Sequence, residues 1–438
     1  MTKLNALAAF VCGASAGVLP DSERRIQHRH FIDTIVAAVV GRRCRETIVL
    51  KALFDDRLDD RMAHLAAAIR MTEIDDIHLP SCTTPSSVAV PVALALAAED
   101  TARVDRLPDA LWVGTEIMTR FGTAVRGPEI LYREVWPTYL CGPLTAAATA
   151  ARMLGLTEAQ AAHALSIALT LTAGGSGRFR QGLTPRWLLH GTGVRAGYLA
   201  AKAGQAGFMG DRGLLDREWL KESHGVALDI GRFFDGLGAA PSAYAELSLK
   251  PYSSAKQAIA AVEALRAIVA DGVAAEAIRA VTVRVPSAYA GMISAAVDVA
   301  NRSTTFASVR YQMALALFHP EALYDIERGR LPLDARMNAF MATVKIEPDE
   351  SLASGYPSRW PATVVVDAGG APIERTVMDA LGDPGNRLDD DEVADKAMRI
   401  LDPIVGAEER AAWLEAASAG IETGGMDGAW ERLKTLMA

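Results

Sequence analysis

Apolar residues recur every three or four positions from Asp21 to about Leu220, within long alanine-rich stretches. This spacing places apolar side chains on one face of an α-helix, and alanine is the strongest helix former. The first half of the chain is therefore predicted to be helical. The clearest predicted helices cover residues 31–40, 86–99, 110–121, 142–154, 158–171 and 193–206, and the apolar segment 7–19 is predicted as a first helix rather than a targeting peptide.

The pattern changes after Pro251. Three short runs, AVTVRV, ATVKI and ATVVV at 280–285, 342–346 and 362–366, are rich in β-branched residues and predict strands. A helical pattern covers 254–269, so this part is predicted to be a smaller α+β domain. The segment LGDPGNRLDDDEV at 381–393 is typical of a turn, and a helical pattern then resumes to the C-terminus.

Length and composition favour two globular domains, because 438 residues exceed the size at which one core keeps growing. The net charge of −8 argues against a nucleic-acid partner, which would require clustered lysine and arginine. Charged residues interrupt each apolar run before the ~18 to 20 residues that span a bilayer. The four cysteines are scattered singly, which supports neither a zinc site nor disulfides and fits a reducing cytoplasm.

Several separated segments carry a family resemblance. They are EIDDIHLPSCTTPSSVAVPVALALA (73–97), WPTYLCGPLTAAATAARMLGLTEAQAAHALSIAL (136–169), TPRWLLHGTGVRAGYLAAKAGQAGFMGD (184–211), KPYSSAKQAIAAVEAL (250–265), the surroundings of Arg310 and Tyr311, MATVKIEPDESL (341–352) and GDPGNRLDDDEV (382–393). Together, and in this order, they resemble the MmgE/PrpD superfamily, which includes 2-methylcitrate dehydratase, cis-aconitate decarboxylase and iminodisuccinate epimerase. The resemblance spans roughly residues 20 to 405.

The resemblance implies a fold, a reaction class and partners. A large helical domain, residues 1–249 and 395–438, would carry an inserted α+β lid domain, residues 250–394, with the substrate cleft between them. Members resemble one another in acting on a small polycarboxylate without a metal or organic cofactor and in forming homodimers. The chain is therefore expected to need no cofactor and to form a homodimer.

Removing a proton next to a carboxylate requires a base, and it requires cations or hydrogen-bond donors where negative charge develops. Asp76 and His78, with Asp75, match the acidic loop that lines the cleft in the family, which makes Asp76 and His78 catalytic candidates. The alternatives are that Asp76 only holds the loop through backbone N–H groups and that His78 is a surface residue.

Two family histidines are replaced in the next motifs. Thr84 stands ahead of the Pro-Ser step where many members carry histidine, and Trp136 replaces histidine in the usual His-Pro-Thr. Indole only donates a hydrogen bond, so Trp136 cannot accept the proton. Tyr139 is a substitute proton donor or else a core tyrosine, and Cys141 is expected to pack as a small apolar residue. Thr84 and Tyr139 are counted as substrate-binding candidates.

A cation cluster follows at Arg178, Arg180 and Arg186, in a glycine-rich stretch that lacks the ending of a phosphate loop. Arg178 and Arg186 are predicted to bind substrate carboxylates, for which the guanidinium fork is suited. The alternative for Arg186 is a solvated arginine at a helix start. His190, next to Leu189 at the family's histidine position, is a further substrate-binding candidate or else a satisfied or exposed histidine.

Lys250 belongs to the family's Lys-Pro-Tyr step and is predicted to be a catalytic cation. Tyr311 aligns with a cleft tyrosine of the decarboxylases and is the other catalytic candidate. Ile259 occupies another histidine position, and Lys256 either compensates for it or is an ordinary exposed lysine.

The lost histidines weaken dehydration and decarboxylation, the family's default reactions. Epimerisation or isomerisation needs only two groups on opposite faces of an acidic carbon, which Tyr and Lys can supply when burial and nearby charges shift their pKa values. A non-catalytic, carboxylate-binding member and a purely structural helical protein are the competing hypotheses. The sequence therefore predicts a polycarboxylate lyase or epimerase whose base is undecided.

Overall fold

A computed structural model describes residues 1–173, 185–298, 301–327, 333–421 and 427–437. The described chain forms two compact units. The first contains the described residues up to 247 and those from 404 onward, and the second contains the described residues from 248 to 403. The sequence predicted boundaries after residues 249 and 394.

The first unit is built from α-helices joined by short turns, as the apolar spacing predicted. Helix Ser86–Glu99 has the predicted bounds, and the predicted helix 193–206 is the second half of a longer helix, Pro185–Gln205. A mainly helical fold is thereby confirmed. The α-helices of this unit are Lys3–Gly13, Asp21–Gly41, Arg45–Lys51, Leu58–Met71, Ser86–Glu99, Leu107–Ala124, Gly127–Leu131, Pro137–Leu154, Glu158–Thr170, Pro185–Gln205, Trp219–His224, Ile230–Phe234, Ala407–Ala419 and Asp427–Lys434, and short strands lie at Ile77–His78 and Leu247–Ser248.

Helix Pro185–Gln205 is central to the first unit. It packs mainly against helices Leu58–Met71, Pro137–Leu154 and Glu158–Thr170, with a smaller contact to helix Ser86–Glu99. The approach is close, because a Cβ at Gly197 would lie 2.3 Å from the Pro143 carbonyl oxygen. Glycine therefore brings the backbone of this helix, and the side chains at its N-terminal end, against its neighbours.

The second unit contains a four-stranded sheet in the order Val344–Pro348, Ala280–Val285, Ala362–Asp367, Ile373–Val377. Its first pair of strands is parallel and the other two pairs are antiparallel. Val281, Val283 and Val285 are buried while the residues between them are partly exposed, so alternate side chains form one core face. The predicted α+β character is confirmed.

Helices cover part of that sheet. Helix Lys256–Ala270 packs on strands Ala362–Asp367 and Ile373–Val377, and helix Val309–Phe318 packs on it in turn. The strand Ile373–Val377 was not predicted, because its residues IERTV are mostly exposed, two of the five are charged, and they show no apolar alternation. The α-helices of this unit are Lys256–Ala270, Ser287–Ile293, Arg302–Ala307, Val309–Phe318, Ala335–Thr343 and Asp390–Leu401.

No helix in the described ranges is both long and apolar enough to cross a bilayer.

Candidate active site

Arg70 organises a buried group of charges in the first unit. It lies in the last turn of helix Leu58–Met71, and its Nη1 is 2.9 Å from Glu73 Oε2 and 3.2 Å from Asp75 Oδ1. Glu73 has a left-handed backbone, with φ of 54°, which is uncommon for a residue with a side chain. Burial disfavours the charged guanidinium, but Asp75 and Glu73 outweigh burial and raise the pKa of Arg70. Arg70 therefore stays charged.

Arg186 joins this group from another helix. Its Nη2 lies 3.1 Å from Glu73 Oε1, so one carboxylate bridges two guanidinium groups. The Arg186 guanidinium carbon lies 5.4 Å from the Trp136 ring and 4.9 Å from the Trp187 ring, within cation–π distance of both. The side chain is 13% exposed, so the alternative of a solvated arginine is wrong. Arg70, Glu73, Asp75 and Arg186 are called the arginine cluster below.

Tyr139 lies beside the arginine cluster. Its ring stacks on Trp136 with centroids 5.5 Å apart. Its hydroxyl is buried and has no hydrogen-bond partner within the described part of the chain, which is costly for a polar group. Burial raises the pKa of Tyr139, and the positive charges of Arg70 and Arg186 oppose part of that rise. Tyr139 therefore carries its proton and has a free donor.

His190 lies one turn after Arg186 and faces Tyr139, with ring centroids 5.6 Å apart. Its Nε2 is 3.2 Å from the Ser87 carbonyl oxygen. A carbonyl only accepts, so Nε2 carries the hydrogen and Nδ1 of the neutral ring carries a lone pair. Burial, with the charge of Arg70, lowers the pKa of His190 to about 3. His190 is thus a buried neutral imidazole and not an exposed histidine.

Thr84 is connected to His190 through Ser87. Its Oγ1 is 3.0 Å from Ser87 Oγ, and its N–H donates to Thr138 Oγ1 at 3.2 Å. Ser87 is the residue whose carbonyl accepts from His190. The structure therefore places Thr84, Tyr139, Arg186 and His190, four of the predicted substrate-binding residues, in one region of the first unit.

Asp76 makes a different set of contacts. Its carboxylate accepts hydrogen bonds from the Ser86 hydroxyl at 2.5 Å, the Ser86 N–H at 3.3 Å and His30 Nδ1 at 3.1 Å. Asp76 and His30 are both buried. Asp76 therefore holds the start of helix Ser86–Glu99, as the structural alternative proposed, and it also orients a histidine.

His78 is buried, so its interpretation as a surface residue is wrong. Nδ1 lies 2.8 Å from Ser81 Oγ and Nε2 lies 3.1 Å from Glu246 Oε2. The hydrogen bond from His78 lowers the pKa of Glu246, whose side chain is mostly exposed. His78 therefore links a buried turn to a carboxylate at the surface.

The second unit holds the other two catalytic candidates. Lys250 and Tyr311 are both buried, with Tyr311 on helix Val309–Phe318. Lys256 is also buried, and its Nζ lies 2.7 Å from Asp383 Oδ1. The expectation of an ordinary exposed lysine at 256 is therefore wrong.

Arg178 and Arg180 lie outside the described residues. Within the described ranges, no group of three or more His, Cys, Asp or Glu side chains is arranged to hold a metal ion. Among the described residues, Cys12, Cys44, Cys82 and Cys141 form no disulfide, and Cys141 is buried, as its predicted packing role requires.

Sequence reasoning missed Arg70, Glu73 and His30. Arg70 is the last residue but one of the run AHLAAAIRM, in which every other buried residue is uncharged, and a buried arginine needs an anionic partner. Glu73 and Asp75 follow within one turn, so this signal was present. His30 had no such signal, because its partner Asp76 is 46 residues away.

Comparison with known families decides the assignment. The MmgE/PrpD N-terminal domain matches residues 55–223, and the MmgE/PrpD C-terminal domain matches residues 252–419. The chain belongs to the MmgE/PrpD superfamily. Membership supports a dehydratase-like or lyase-like function, or a related one, without fixing substrate or reaction. No curated protein matches the chain.

The N-terminal MmgE/PrpD match includes every residue of the arginine cluster together with Tyr139 and His190. Trp136, which the sequence resemblance aligns with a histidine, has its ring centroid 5.4 Å from the Arg186 guanidinium carbon. The replacement therefore exchanges a titratable side chain for an aromatic surface beside a cation.

Proposed function

We propose that this MmgE/PrpD member is a lyase or epimerase that removes a proton next to a carboxylate of a small di- or tricarboxylate. The observation that carries the proposal is the Tyr139 hydroxyl, which is buried beside two guanidinium groups and a neutral imidazole and has no hydrogen-bond partner among the described residues. A ligand oxygen supplies the acceptor that this hydroxyl lacks. A carboxylate is the ligand group that also matches the arginines.

His190 is the proposed base in the first unit. Its Nε2–H is held by the Ser87 carbonyl, which leaves the lone pair on Nδ1 to accept a proton. In the free protein its pKa of about 3 makes it a weak base. A bound anionic substrate raises that pKa, because a neighbouring negative charge favours the protonated ring. The base thus gains strength when substrate binds.

Arg70 and Arg186 are the proposed electrostatic partners of the negative charge that develops during proton removal. Both are fixed before substrate binds, Arg70 by Asp75 and Arg186 by the indoles of Trp136 and Trp187. Charges that are already oriented stabilise a transition state without a cost of reorganisation. Tyr139 would donate its hydroxyl hydrogen to the same developing oxyanion.

The four catalytic candidates from the sequence have separate roles. Lys250 and Tyr311, which both lie in the second unit, stay predictions as a cation and a proton-transfer group. Asp76 is proposed to orient His30 and hold the helix start rather than to act as the base. His78 is paired with Ser81 and Glu246, and we assign it no step.

A carboxylate-binding protein without turnover is the second candidate function. Thr84, Trp136, Leu189 and Ile259 stand where the family resemblance places histidines. Such a protein would retain the arginine cluster and lose proton transfer. The two functions differ in whether a bound polycarboxylate changes chemically.

The test is turnover of three substrates that represent three outcomes. 2-Methylcitrate would lose water, cis-aconitate would lose carbon dioxide, and one enantiomer of iminodisuccinate would become the other. Turnover of any one that falls by about 100-fold or more in Tyr139→Phe and in His190→Gln supports the proposal. Tyr198→Phe, a partly exposed tyrosine on the helix of His190, is the matched control and should keep full activity. Tight binding of all three without any product would favour the second function.

A further inference from the structure

The turn at residues 380–386, which contains Gly-Asp-Pro-Gly-Asn, contacts the Lys250 segment at two places. The Leu249 N–H donates to the Gly382 carbonyl at 3.0 Å, one residue before Lys250. Lys256 Nζ lies 2.7 Å from Asp383 Oδ1, six residues after Lys250. One turn therefore holds both ends of the segment that carries the predicted cation.

The first contact depends on glycine. Gly382 has φ of +92°, and a Cβ there would lie 1.9 Å from the Leu249 carbonyl oxygen. The Gly382 N–H donates to the Asn386 carbonyl at 2.7 Å, which closes the turn. No other residue permits this approach without displacing the backbone at Leu249.

The second contact is a buried ion pair. The side chains of Lys256 and Asp383 are each 1% exposed. Removing both charges from water is costly, and Lys256 begins a helix, where a positive charge opposes the helix dipole. The other Asp383 oxygen accepts the Ala380 N–H at 2.9 Å, which fixes the carboxylate in the turn. A buried ion pair adds little net stability. We therefore expect this pair to serve mainly to fix the position of the turn relative to Lys256.

We propose that the 380–386 turn is a clamp that positions Lys250, with Gly382 and Asp383 as positioning residues. The inference rests on the role proposed above for Lys250. Removing both charges of the pair should leave the fold intact and displace the Lys250 backbone. A displacement of about 1 Å at a functional cation lowers turnover by up to about 100-fold, so a partial displacement should lower it about tenfold.

The experiment compares Asp383→Asn with Asp379→Asn in the full chain. Asp379 belongs to the same stretch but pairs with Arg359 in a more exposed position, so it controls for a general loosening of the turn. Amide hydrogen exchange across residues 249–256 should accelerate about tenfold or more in Asp383→Asn and stay unchanged in Asp379→Asn. The double variant Lys256→Gln with Asp383→Asn removes both charges together and should show the same acceleration if the single variant does not fold.

Turnover supplies the second readout. With the substrate found by screening, Asp383→Asn should lower kcat about tenfold and change KM less than about threefold. If the wild-type protein turns over no carboxylate, the proposed function fails, and amide exchange still decides whether the clamp exists. Unchanged exchange at 249–256 in the folded variants, or a loss of kcat that Asp379→Asn reproduces, would overturn the proposal.

Discussion

Arg70 neutralises buried negative charge in the arginine cluster. It is buried and contacts both Glu73 and Asp75. Arg186 forms a salt bridge with Glu73, whereas the salt bridge described for Asp75 is the one with Arg70. Removing one partner of a buried ion pair is among the most destabilising single substitutions.

Arg70→Gln is therefore expected to lower the free energy of unfolding by about 3–5 kcal/mol. Arg61→Gln is the matched control, because Arg61 lies on the same helix and pairs with Glu99 near the surface. The control should cost less than about 1 kcal/mol. Urea unfolding measures both values, and equal losses would show that the arginine cluster is not special.

His190 gives the stability of the protein a pH dependence with a definite sign. Its pKa is about 3 in the folded protein, below the ordinary value of 6.5. Between pH 3 and pH 6.5, the unfolded chain therefore binds a proton at His190 and the folded chain does not. The contribution to stability is complete above pH 6.5 and falls as the pH drops toward 3.

Between pH 6.5 and pH 5 this histidine should account for about 2 kcal/mol of lost unfolding free energy. His190→Gln should therefore lose about 2 kcal/mol less than the wild type over that interval, whatever its stability at pH 7. Urea unfolding at the two pH values measures the difference. Identical pH dependence in the two proteins would mean that His190 is accessible to protons when folded.

At the scale of elements, glycine determines how closely helix Pro185–Gln205 approaches helix Pro137–Leu154. The Cβ of an alanine at 197 would meet the Pro143 carbonyl at 2.3 Å, and carbonyls of a packed helix cannot retreat. One turn earlier, a Cβ at Gly193 would meet nothing closer than 3.6 Å. Both glycines lie on the same helix, but Gly197 lies directly against the neighbouring backbone and Gly193 leaves room for a Cβ.

Gly197→Ala should lower the free energy of unfolding by about 1–3 kcal/mol through overpacking. Gly193→Ala should leave it unchanged or raise it by up to about 1 kcal/mol, because alanine stabilises a helix interior relative to glycine. Thermal unfolding of the two variants provides the comparison. A similar fall in both would indicate loss of helix flexibility rather than a steric clash.

The local pattern of apolar and polar residues predicted most helices and strands. It could not predict where an element begins or ends when tertiary contacts determine that position. Helix 86–99, which is buried from Ser86 to Ala97, and strand 280–285, in which alternate residues are buried, both have the predicted bounds. Strand Ile373–Val377 was missed because its stability comes from pairing with Ala362–Asp367. Helix Pro185–Gln205 begins before the predicted start at residue 193. The polar residues Arg186 and His190 interrupt the apolar spacing in its first turns.

At the scale of the whole molecule, the sequence identified the family and several site residues but not their partners. Arg186, Tyr139 and His190 were proposed individually from their motifs. Their association with Arg70 and Glu73 depends on helices that are more than 60 residues apart in sequence, which no local spacing encodes. The ion pair between Lys256 and Asp383 could not be predicted for the same reason, because the two residues are far apart in sequence.

The central claim is proton removal next to a carboxylate, and exchange of substrate hydrogen with solvent tests it directly. The protein is incubated in D₂O with candidate di- and tricarboxylates, and the hydrogens next to the carboxylates are followed by NMR. We expect exchange with at least one of them, lowered about 100-fold or more in His190→Gln and in Tyr139→Phe. A polycarboxylate that binds tightly while no candidate exchanges any hydrogen would contradict the claim.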